Sequence, residues 1–452
     1  MFFCNGEQRT ASLKAIVQPG AKPNPTYFAF HAAPWSRFDF SVTPYKGVYA
    51  AEAESSPPVC DLPSPGAVED AAESVRHALE LTLERQLGAA NRVAVLTGGG
   101  LDSGGLLALV HNWARQRGKS CLAVGLSFED AGDDRPYLSA LEAHLECEVI
   151  RVYPEEGAPY WSRVIEGLDG APQTWGNAPM ELALYARARD AGAEVTVTGV
   201  GGDHLFDGDP RALAELVRKG RPLAALTAAR SLRGFDRPIS PVASWVLRPW
   251  LGSFLPRSAY TRVVQAPPRF IPSWAGPRLV RHLSSARREA MRSVHLNPEQ
   301  RAKRRARQNR IFERQRQQIR LALGIDRIDP FLDESLLAFR DQLPPHWLLM
   351  GGIRRGLYRE ALRDLIPEAL YRRESKSRFT GAFVRFSQAL GGLEQLRDLA
   401  VPRMLASFDV VKIPPFRAEY ESLCANQSSA RGWGAVLPVI LLEAFARHRF
   451  GG

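Results

Sequence analysis

The chain has 452 residues, 45% of them hydrophobic and 24% charged, with a net charge of +11, which is a globular composition with length for two or three domains. Its apolar runs stay below the ~20 residues that cross a bilayer, and its start lacks the basic and apolar parts of a signal peptide. Five scattered cysteines form no C-x-x-C pair and no metal-ligand spacing, which argues against zinc and disulfides and predicts a cytoplasmic protein.

Residues 1–65 are rich in proline and carry two β-like stretches, Thr26–Phe30 and Gly47–Ala51, before a Pro-Ser linker. They predict a small β-rich cap. From about Val68 to Leu87, apolar side chains recur every third or fourth position, which predicts an amphipathic helix.

Strands and helices then alternate up to about residue 210. We expect strands at Val93–Leu96, Cys121–Leu126, Val149–Val152 and Glu194–Thr198, separated by helices up to about Arg117 and at Pro136–Leu145, Pro159–Gly167 and Met180–Ala191. This order predicts an α/β fold with a doubly wound parallel sheet that binds ligands at the carboxyl ends of its strands.

Beyond residue 210 the strand signal fades, and the chain is expected to be mainly helical. The expected helices are Arg211–Arg230, Arg278–Arg292, Glu299–Leu323, Leu336–Leu343, Arg354–Leu365 and Leu437–Phe450. The sequence thus divides into a cap over 1–65, an α/β core over 66–210 and a helical part over 211–452.

A basic run between Arg301 and Arg320 carries much of the positive charge. Such a run can bind nucleic acid or an acidic partner. It has no interleaved aromatic residues and no signature of a nucleic-acid-binding module, so nucleic acid is not expected as a partner. A solvated helix face is the first interpretation, and an anionic substrate is the second.

The first expected strand of the core ends in a glycine-rich turn that leads directly into a helix. Backbone N–H groups of such a turn, together with the helix N-terminus, can hold a phosphate. The spacing is neither that of the common P-loop nor that of the dinucleotide fingerprint. A tight turn in any α/β protein is the alternative. The candidate nucleotide-binding residues here are Leu96, Gly98, Gly99, Gly100, Asp102 and Ser103.

A second glycine-rich turn, Thr198–Gly208, follows a later strand and adds Gly199 and Gly201 to the candidates. Two such turns can converge above a parallel sheet, so that Asp102 and Asp203 face each other across a pyrophosphate. Two carboxylates together with phosphate oxygens suit Mg²⁺. Alone, Asp203 could equally be a turn residue or a helix cap.

Four segments resemble motifs of the asparagine synthetase family, in the same order along the chain. The first glycine turn resembles the S-G-G-x-D-S pyrophosphate loop of the ATP pyrophosphatases, and the second resembles S-G-E-G-A-D-E-L-F. Residues 325–333 are loosely similar to V-E-x-R-x-P-F-L-D, and residues 366–379 to L-P-E-x-L-x-x-R-x-K-x-x-F. The resemblance covers about the last four-fifths of the chain.

The resemblance implies that a carboxylate attacks the α-phosphorus of ATP, that pyrophosphate leaves, and that an amine then attacks the acyl-adenylate to form an amide. ATP and Mg²⁺ are the implied cofactors. Lys376 corresponds to the family's catalytic lysine, which would stabilise charge at the reacting centre; a solvated lysine in a basic loop is its alternative. Asp326 corresponds to a family glutamate near the acyl centre and is one methylene shorter.

The departures from the family pattern concern the substrate. Gly98 replaces the first serine of the loop and keeps only its backbone. Val200 replaces a polar residue that helps to hold or deprotonate the substrate amine, and His204 replaces an acidic residue. Phe2 stands where asparagine synthetases carry the nucleophilic cysteine of a glutaminase domain, so we expect the acceptor to supply its own amine.

These features favour a lasso-type cyclase, which joins an Asp or Glu side chain of a precursor peptide to its N-terminal amine. A leader-binding protein and a protease are its implied partners. A β-lactam synthetase-like or intermolecular amide ligase is the alternative. A tRNA-modifying ATP pyrophosphatase would carry a cysteine pair or an RNA-binding appendage. An inactive scaffold would not be expected to keep Asp102, Ser103, Asp203 and Lys376.

Overall fold

The computed structural model describes most of the chain, the side chains of residues 2, 51, 204 and 286–292 excepted. The described residues are 2–5, 8–32, 42–51, 60, 62, 66–129, 134–173, 175–233, 240–252, 254, 271–292, 312–375 and 378–451. Lys376, the His204 side chain and the basic run over 301–311 therefore lie outside the description.

Eight strands form two sheets. They are β1 (Phe2–Cys4), β2 (Arg9–Thr10), β3 (Tyr49–Ala51), β4 (Arg92–Leu96), β5 (Ser120–Leu126), β6 (Val149–Val152), β7 (Val195–Thr198) and β8 (Asp326–Ile328). The main sheet has the order β6-β5-β4-β7-β8 and is parallel throughout, with Val93 paired to Cys121 on one side and to Val195 on the other. The strand order reverses between β4 and β7, which is the point where doubly wound sheets bind their ligands.

Helices cover the sheet and build the rest of the molecule. The α-helices are Leu13–Ile16, Pro25–His31, Ala71–Leu87, Leu101–Gln116, Arg135–Leu145, Trp161–Glu166, Ala178–Asp190, Gly202–Leu205, Ala214–Arg218, Pro222–Ser231, Arg248–Gly252, Pro277–Arg292, residues 312–323, Glu334–Gln342, Gly356–Ala361, Glu368–Tyr371, Thr380–Ala389, Arg403–Ser407, Ile413–Ala425 and Ala430–Phe450. Short 3₁₀ turns cover Pro154–Tyr160, Pro210–Leu213, Pro330–Leu332, Pro345–Gly352 and Leu393–Leu396, and a π turn covers Ala243–Leu247. Across the described ranges, no helix has both the length and the apolar character to span a bilayer.

Both faces of the main sheet are buried. Val93 and Val95 of β4 belong to one hydrophobic cluster, whereas Ala94 and Leu96 belong to another on the opposite face. Successive side chains of a strand point to opposite faces, so a strand covered on both sides needs a continuous apolar run. This explains why β4 was visible in the sequence, and the α/β, doubly wound parallel sheet is confirmed.

The prediction of a strand at Thr26–Phe30 is wrong, because Pro25–His31 is a helix. Asn24 caps it by accepting a hydrogen bond from the Thr26 amide, and Pro25 at the first position has the backbone angle that a helix start requires. The strand expected within Gly47–Ala51 is present as β3, which pairs with β1.

Beyond residue 210 the structure departs from the expected run of helices. The strand β8 comes from this part and pairs in parallel with β7, so one edge strand of the sheet lies in the region that was expected to be mainly helical. The expected helix over Arg211–Arg230 is broken into three short pieces, with Pro210 and Pro222 at the start of two of them.

Candidate active site

Glycine allows the conformation of the turn after β4, and the backbone of Asp134 packs against this turn. Gly99 has a positive φ of 73°, and a Cβ there would lie 2.8 Å from the carbonyl oxygen of Asp134, which excludes larger residues. Gly100 caps the helix Leu101–Gln116 without a side-chain hydrogen bond, so the helix N-terminus keeps its amides for a ligand. Ser103 Oγ lies 3.4 Å from the amide nitrogen of Gly98.

The turn after β7 packs directly on the first turn. A Cβ on Gly199 would lie 3.0 Å from the backbone nitrogen of Ser103, and one on Gly202 would lie 2.6 Å from Cγ of Asp102. Gly201 has a φ of 96° and no room for a side chain against Leu332. The two predicted loops therefore converge, and their glycines allow the approach.

This convergence brings Asp102 and Asp203 to one guanidinium group. Arg355 donates from Nη1 to Oδ1 of Asp102 at 2.7 Å and forms an ion pair through Nη2 with Asp203. The Arg355 side chain is only 10% exposed, and Arg354 next to it pairs with Asp207. Sequence reasoning missed Arg355, which lies about 250 positions from Asp102 and outside the four motifs.

The two carboxylates fit a magnesium site. Both pair with the same cation, so their oxygens face a common point, and Mg²⁺ is commonly held by one or two carboxylates and substrate phosphates. In the part of the chain that the structure describes, no group of three or more His, Cys, Asp or Glu side chains could hold a metal. The ion would therefore need phosphate oxygens to complete its shell.

Arg373 ties the segment before Lys376 to the first turn. It donates from Nη2 to Asp134 Oδ1 at 2.5 Å and from Nη1 to the Gly99 carbonyl at 2.7 Å, and its side chain is 3% exposed. Its guanidinium carbon also lies 4.0 Å from the ring centroid of Tyr137. Arg373 lies within the fourth motif, yet the sequence alone assigned it no role.

The turns open into a cavity of about 1040 Å³. Predicted residues on its wall are Leu96, Gly98, Gly100, Asp102, Ser103, Gly199 and Asp203. Gly99 and Gly201 do not line the cavity, and their positive φ angles shape the two turns. The apolar part includes Phe128 and Phe379, and their ring centroids are 5.7 Å apart.

The two predicted catalytic residues have different outcomes. Lys376 is outside the described residues, although Ser375 and Phe379 on either side of it line the cavity. Asp326 is not brought to the site. It pairs with Val195 at the start of β7, at the end of the sheet away from the turns, and its Oδ1 lies 3.4 Å from Nε of Arg320.

A chain of buried polar residues, rather than Asp326, links the end of β7 to the cavity wall. Thr198, at the end of β7, donates to Asp329, and Arg327 donates to the same Oδ1 at 2.8 Å. Arg327 is 1% exposed, and its Nη1 lies 3.5 Å from Oε1 of Glu181, which lines the cavity. Sequence reasoning therefore missed two carboxylates, Asp329 and Glu181. The sequence feature that could have pointed to Asp329 is its position directly before Pro330.

The fold and these turns define a doubly wound α/β protein whose candidate anion site lies at the switch point of a parallel sheet. The family model described as asparagine synthase matches residues 74–445, so the chain belongs to the asparagine synthase family. The chain is therefore an ATP-dependent carbon–nitrogen ligase, which forms an amide bond through an adenylate.

No curated protein matches the sequence. Among solved structures, the chain is similar to a U34-tRNA thiolase, NcsA from Methanococcus maripaludis with its [4Fe-4S] cluster, at 12% identity and a TM-score of 0.28. The match covers 56% of this chain and 80% of the thiolase. A TM-score at this level supports no conclusion about function.

Proposed function

We propose that the protein is a macrolactam cyclase, which joins an Asp or Glu side chain of a precursor peptide to the N-terminal amine of the same peptide. The observation that carries this proposal is the size of the cavity. At about 1040 Å³ it is at or above the range of about 300–1,000 Å³ typical of small-molecule sites, which leaves room for peptide beside the nucleotide.

The side chain at position 200 supports a substrate other than ammonia. Val200 lines the cavity, and its own side chain offers no hydrogen-bond acceptor to a small amine, so the acceptor amine would have to be held by other groups of the wall. A small-molecule amide ligase, similar to a β-lactam synthetase, would use the same adenylation chemistry and is an outcome of the test below. A leader-binding protein and a protease would be the partners of a cyclase.

In the first step, the substrate carboxylate oxygen attacks the α-phosphorus, and the bond to pyrophosphate breaks. Backbone amides of Gly98–Gly100 and the following helix N-terminus would hold the leaving pyrophosphate. Asp102 and Asp203 would hold Mg²⁺, which supplies positive charge to the phosphate oxygens when it is bound. Arg355, which pairs with both carboxylates, would add positive charge beside the same oxygens.

In the second step, the amine nitrogen attacks the acyl carbon, the bond to AMP breaks, and one proton leaves the nitrogen. Lys376 would stabilise the oxyanion that forms. Arg373 fixes the backbone just before Lys376 through its contacts with Gly99 and Asp134. The described backbone of residues 373–375 is therefore linked to the turn that would bind phosphate.

ATP–pyrophosphate exchange tests the proposal. The wild-type protein is incubated with synthetic peptides that carry a free N-terminal amine and one internal Asp or Glu. We expect exchange with at least one peptide, followed by loss of one water from its intact mass. Loss of water without a peptide–peptide adduct identifies a cyclase, whereas an adduct or a reaction only with small carboxylates identifies the ligase.

Asp102→Asn and Asp203→Asn should each lower exchange by about 100-fold or more, because a bound metal supplies several kcal/mol to the transition state. Asp209→Asn is the matched control, since Asp209 pairs only locally with Arg211 in the described structure and does not line the cavity. Unchanged exchange in both site variants would contradict the assigned site.

A further inference from the structure

Glu181 is a carboxylate on the cavity wall that the adenylation step does not use. It lies in the first turn of the helix Ala178–Asp190 and shares the cavity wall with Thr198 and Val200. Its side chain is 25% exposed, so it reaches the space in which the substrate would lie.

Two buried groups hold this carboxylate in place by the same oxygen. Arg327 Nη1 lies 3.5 Å from Oε1, and the hydroxyl of Tyr185 donates to Oε1 at 3.4 Å. Arg327 is in turn fixed by Asp329, which accepts a hydrogen bond from Thr198. A continuous chain of contacts therefore links Glu181 to the end of β7, next to the turn that packs on the pyrophosphate loop.

The surroundings of Glu181 make it a stronger base than an ordinary glutamate. Burial raises its pKa, the nearby Asp329 carboxylate acts in the same direction, and Arg327 and the Tyr185 hydroxyl oppose them. A carboxylate with a raised pKa takes up a proton more readily, which is what a general base near neutral pH requires.

We infer that Glu181 binds the acceptor amine of the substrate and accepts its proton as the carbon–nitrogen bond forms. The nitrogen lone pair attacks the acyl carbon, the carbon–oxygen bond to AMP breaks, AMP leaves with the electron pair, and the proton moves from nitrogen to the Glu181 carboxylate. The carboxylate thereby supplies the acceptor that Val200 cannot. This inference rests on the amide-forming function proposed above, and it adds the residue that selects a protonatable amine.

The test compares Glu181→Gln with the wild-type protein, using a peptide that gives exchange in the wild type. We expect ATP–pyrophosphate exchange to stay within about threefold, because adenylation does not involve the amine. Amide formation should fall by about 100-fold, which is the size of a typical general-base contribution. Hydroxylamine, whose nitrogen is less basic than that of an alkylamine and can lose its proton to water after attack, should restore release of AMP and form the hydroxamate.

The pH profile separates a base from a structural group. In the wild type, amide formation should fall as the pH drops through the pKa of Glu181, in a limb displaced upward from that of an ordinary glutamate. Glu181→Gln should lose this limb. Glu181→Asp keeps a carboxylate and should retain the limb at a lower rate, which also covers the case in which the glutamine variant folds poorly.

Two variants serve as controls. Tyr185→Phe removes the other partner of Oε1 and keeps the carboxylate, so the limb should remain. Glu155→Gln breaks the ion pair of Glu155 with Arg385 away from the cavity and should change neither half-reaction. Unaltered amide formation in Glu181→Gln, or equal loss of exchange and amide formation, would overturn the inference. Absence of exchange in the wild type would instead overturn the proposed function.

Discussion

Two buried arginines organise the segment that leads to Lys376. Arg359 donates to the carbonyl oxygens of Leu370, Tyr371 and Arg373 at and just beyond the end of a short helix. Arg373 then joins this segment to the glycine turn after β4. Backbone carbonyl oxygens and one carboxylate thus accept hydrogen bonds from two buried guanidinium groups. Burial of these charges without such partners would cost free energy.

Arg373→Met should destabilise the protein by about 3–5 kcal/mol, because it removes a buried cation that pairs with the carboxylate of Asp134. The readout is urea unfolding followed by tryptophan fluorescence. Arg372→Met is the control, since Arg372 is 77% exposed, pairs with Glu368 and should cost less than about 1 kcal/mol. The double variant Arg373→Met with Asp134→Leu should recover part of the loss; no recovery would refute the ion-pair explanation.

At the scale of elements, the helix Leu101–Gln116 packs closely against its neighbours because Gly104 and Gly105 lie near its start. A Cβ on Gly105 would lie 2.6 Å from the hydroxyl oxygen of Tyr358 and closer still to Leu362. The same hydroxyl donates to the carbonyl of Asp102 at 3.4 Å. The packing of this helix therefore sets the position of the candidate metal ligand at its first turn.

Gly105→Ala should destabilise the protein by about 1–3 kcal/mol through overpacking and should lower exchange as Asp102 shifts. Gly434→Ala is a matched control, because Gly434 also lies inside a helix but has nothing within 4 Å of an added Cβ. There the higher helix propensity of alanine should stabilise by up to about 1 kcal/mol. Equal effects of the two substitutions on the unfolding midpoint would argue against close packing as the cause.

Buried elements carry a local pattern of apolar residues, and such elements could be predicted from the sequence. The strands β4 and β5 are mostly buried and read as apolar runs, β6 and β7 are rich in β-branched residues, and the glycine turns after β4 and β7 have a recognisable spacing. The short strand β8 has a charged Asp326 and Arg327 and gains its place only by pairing with β7. For the same reason Arg355 and Glu181 could not be assigned, since tertiary contacts, and no local pattern, bring them to the cavity.

At the scale of the whole molecule, the first 51 residues and the last helices share one hydrophobic cluster. Phe28 of the N-terminal part packs against Phe408, with ring centroids 5.0 Å apart, and Phe445 belongs to the same cluster. A turn of the core adds a polar link: Asp169 accepts hydrogen bonds from the Ser12 hydroxyl and from the amides of Leu13 and Lys14. The described N-terminal residues are therefore attached to the C-terminal helices by apolar packing and to the core by hydrogen bonds.

Asp169→Ala should loosen this N-terminal part while the nucleotide site remains intact. Three hydrogen bonds to one carboxylate are lost, two of them from amides at the start of the helix Leu13–Ile16, where loss of a cap costs about 0.5–2 kcal/mol. Limited trypsin digestion should cut after Lys14 earlier than in the wild type, and ATP–pyrophosphate exchange should be unchanged. Asp190→Ala, which removes a surface partner of Arg189, should leave the cleavage pattern as it is. If cleavage is equally slow in both variants, the apolar cluster alone anchors the N-terminal part, and Asp169 contributes nothing to its attachment.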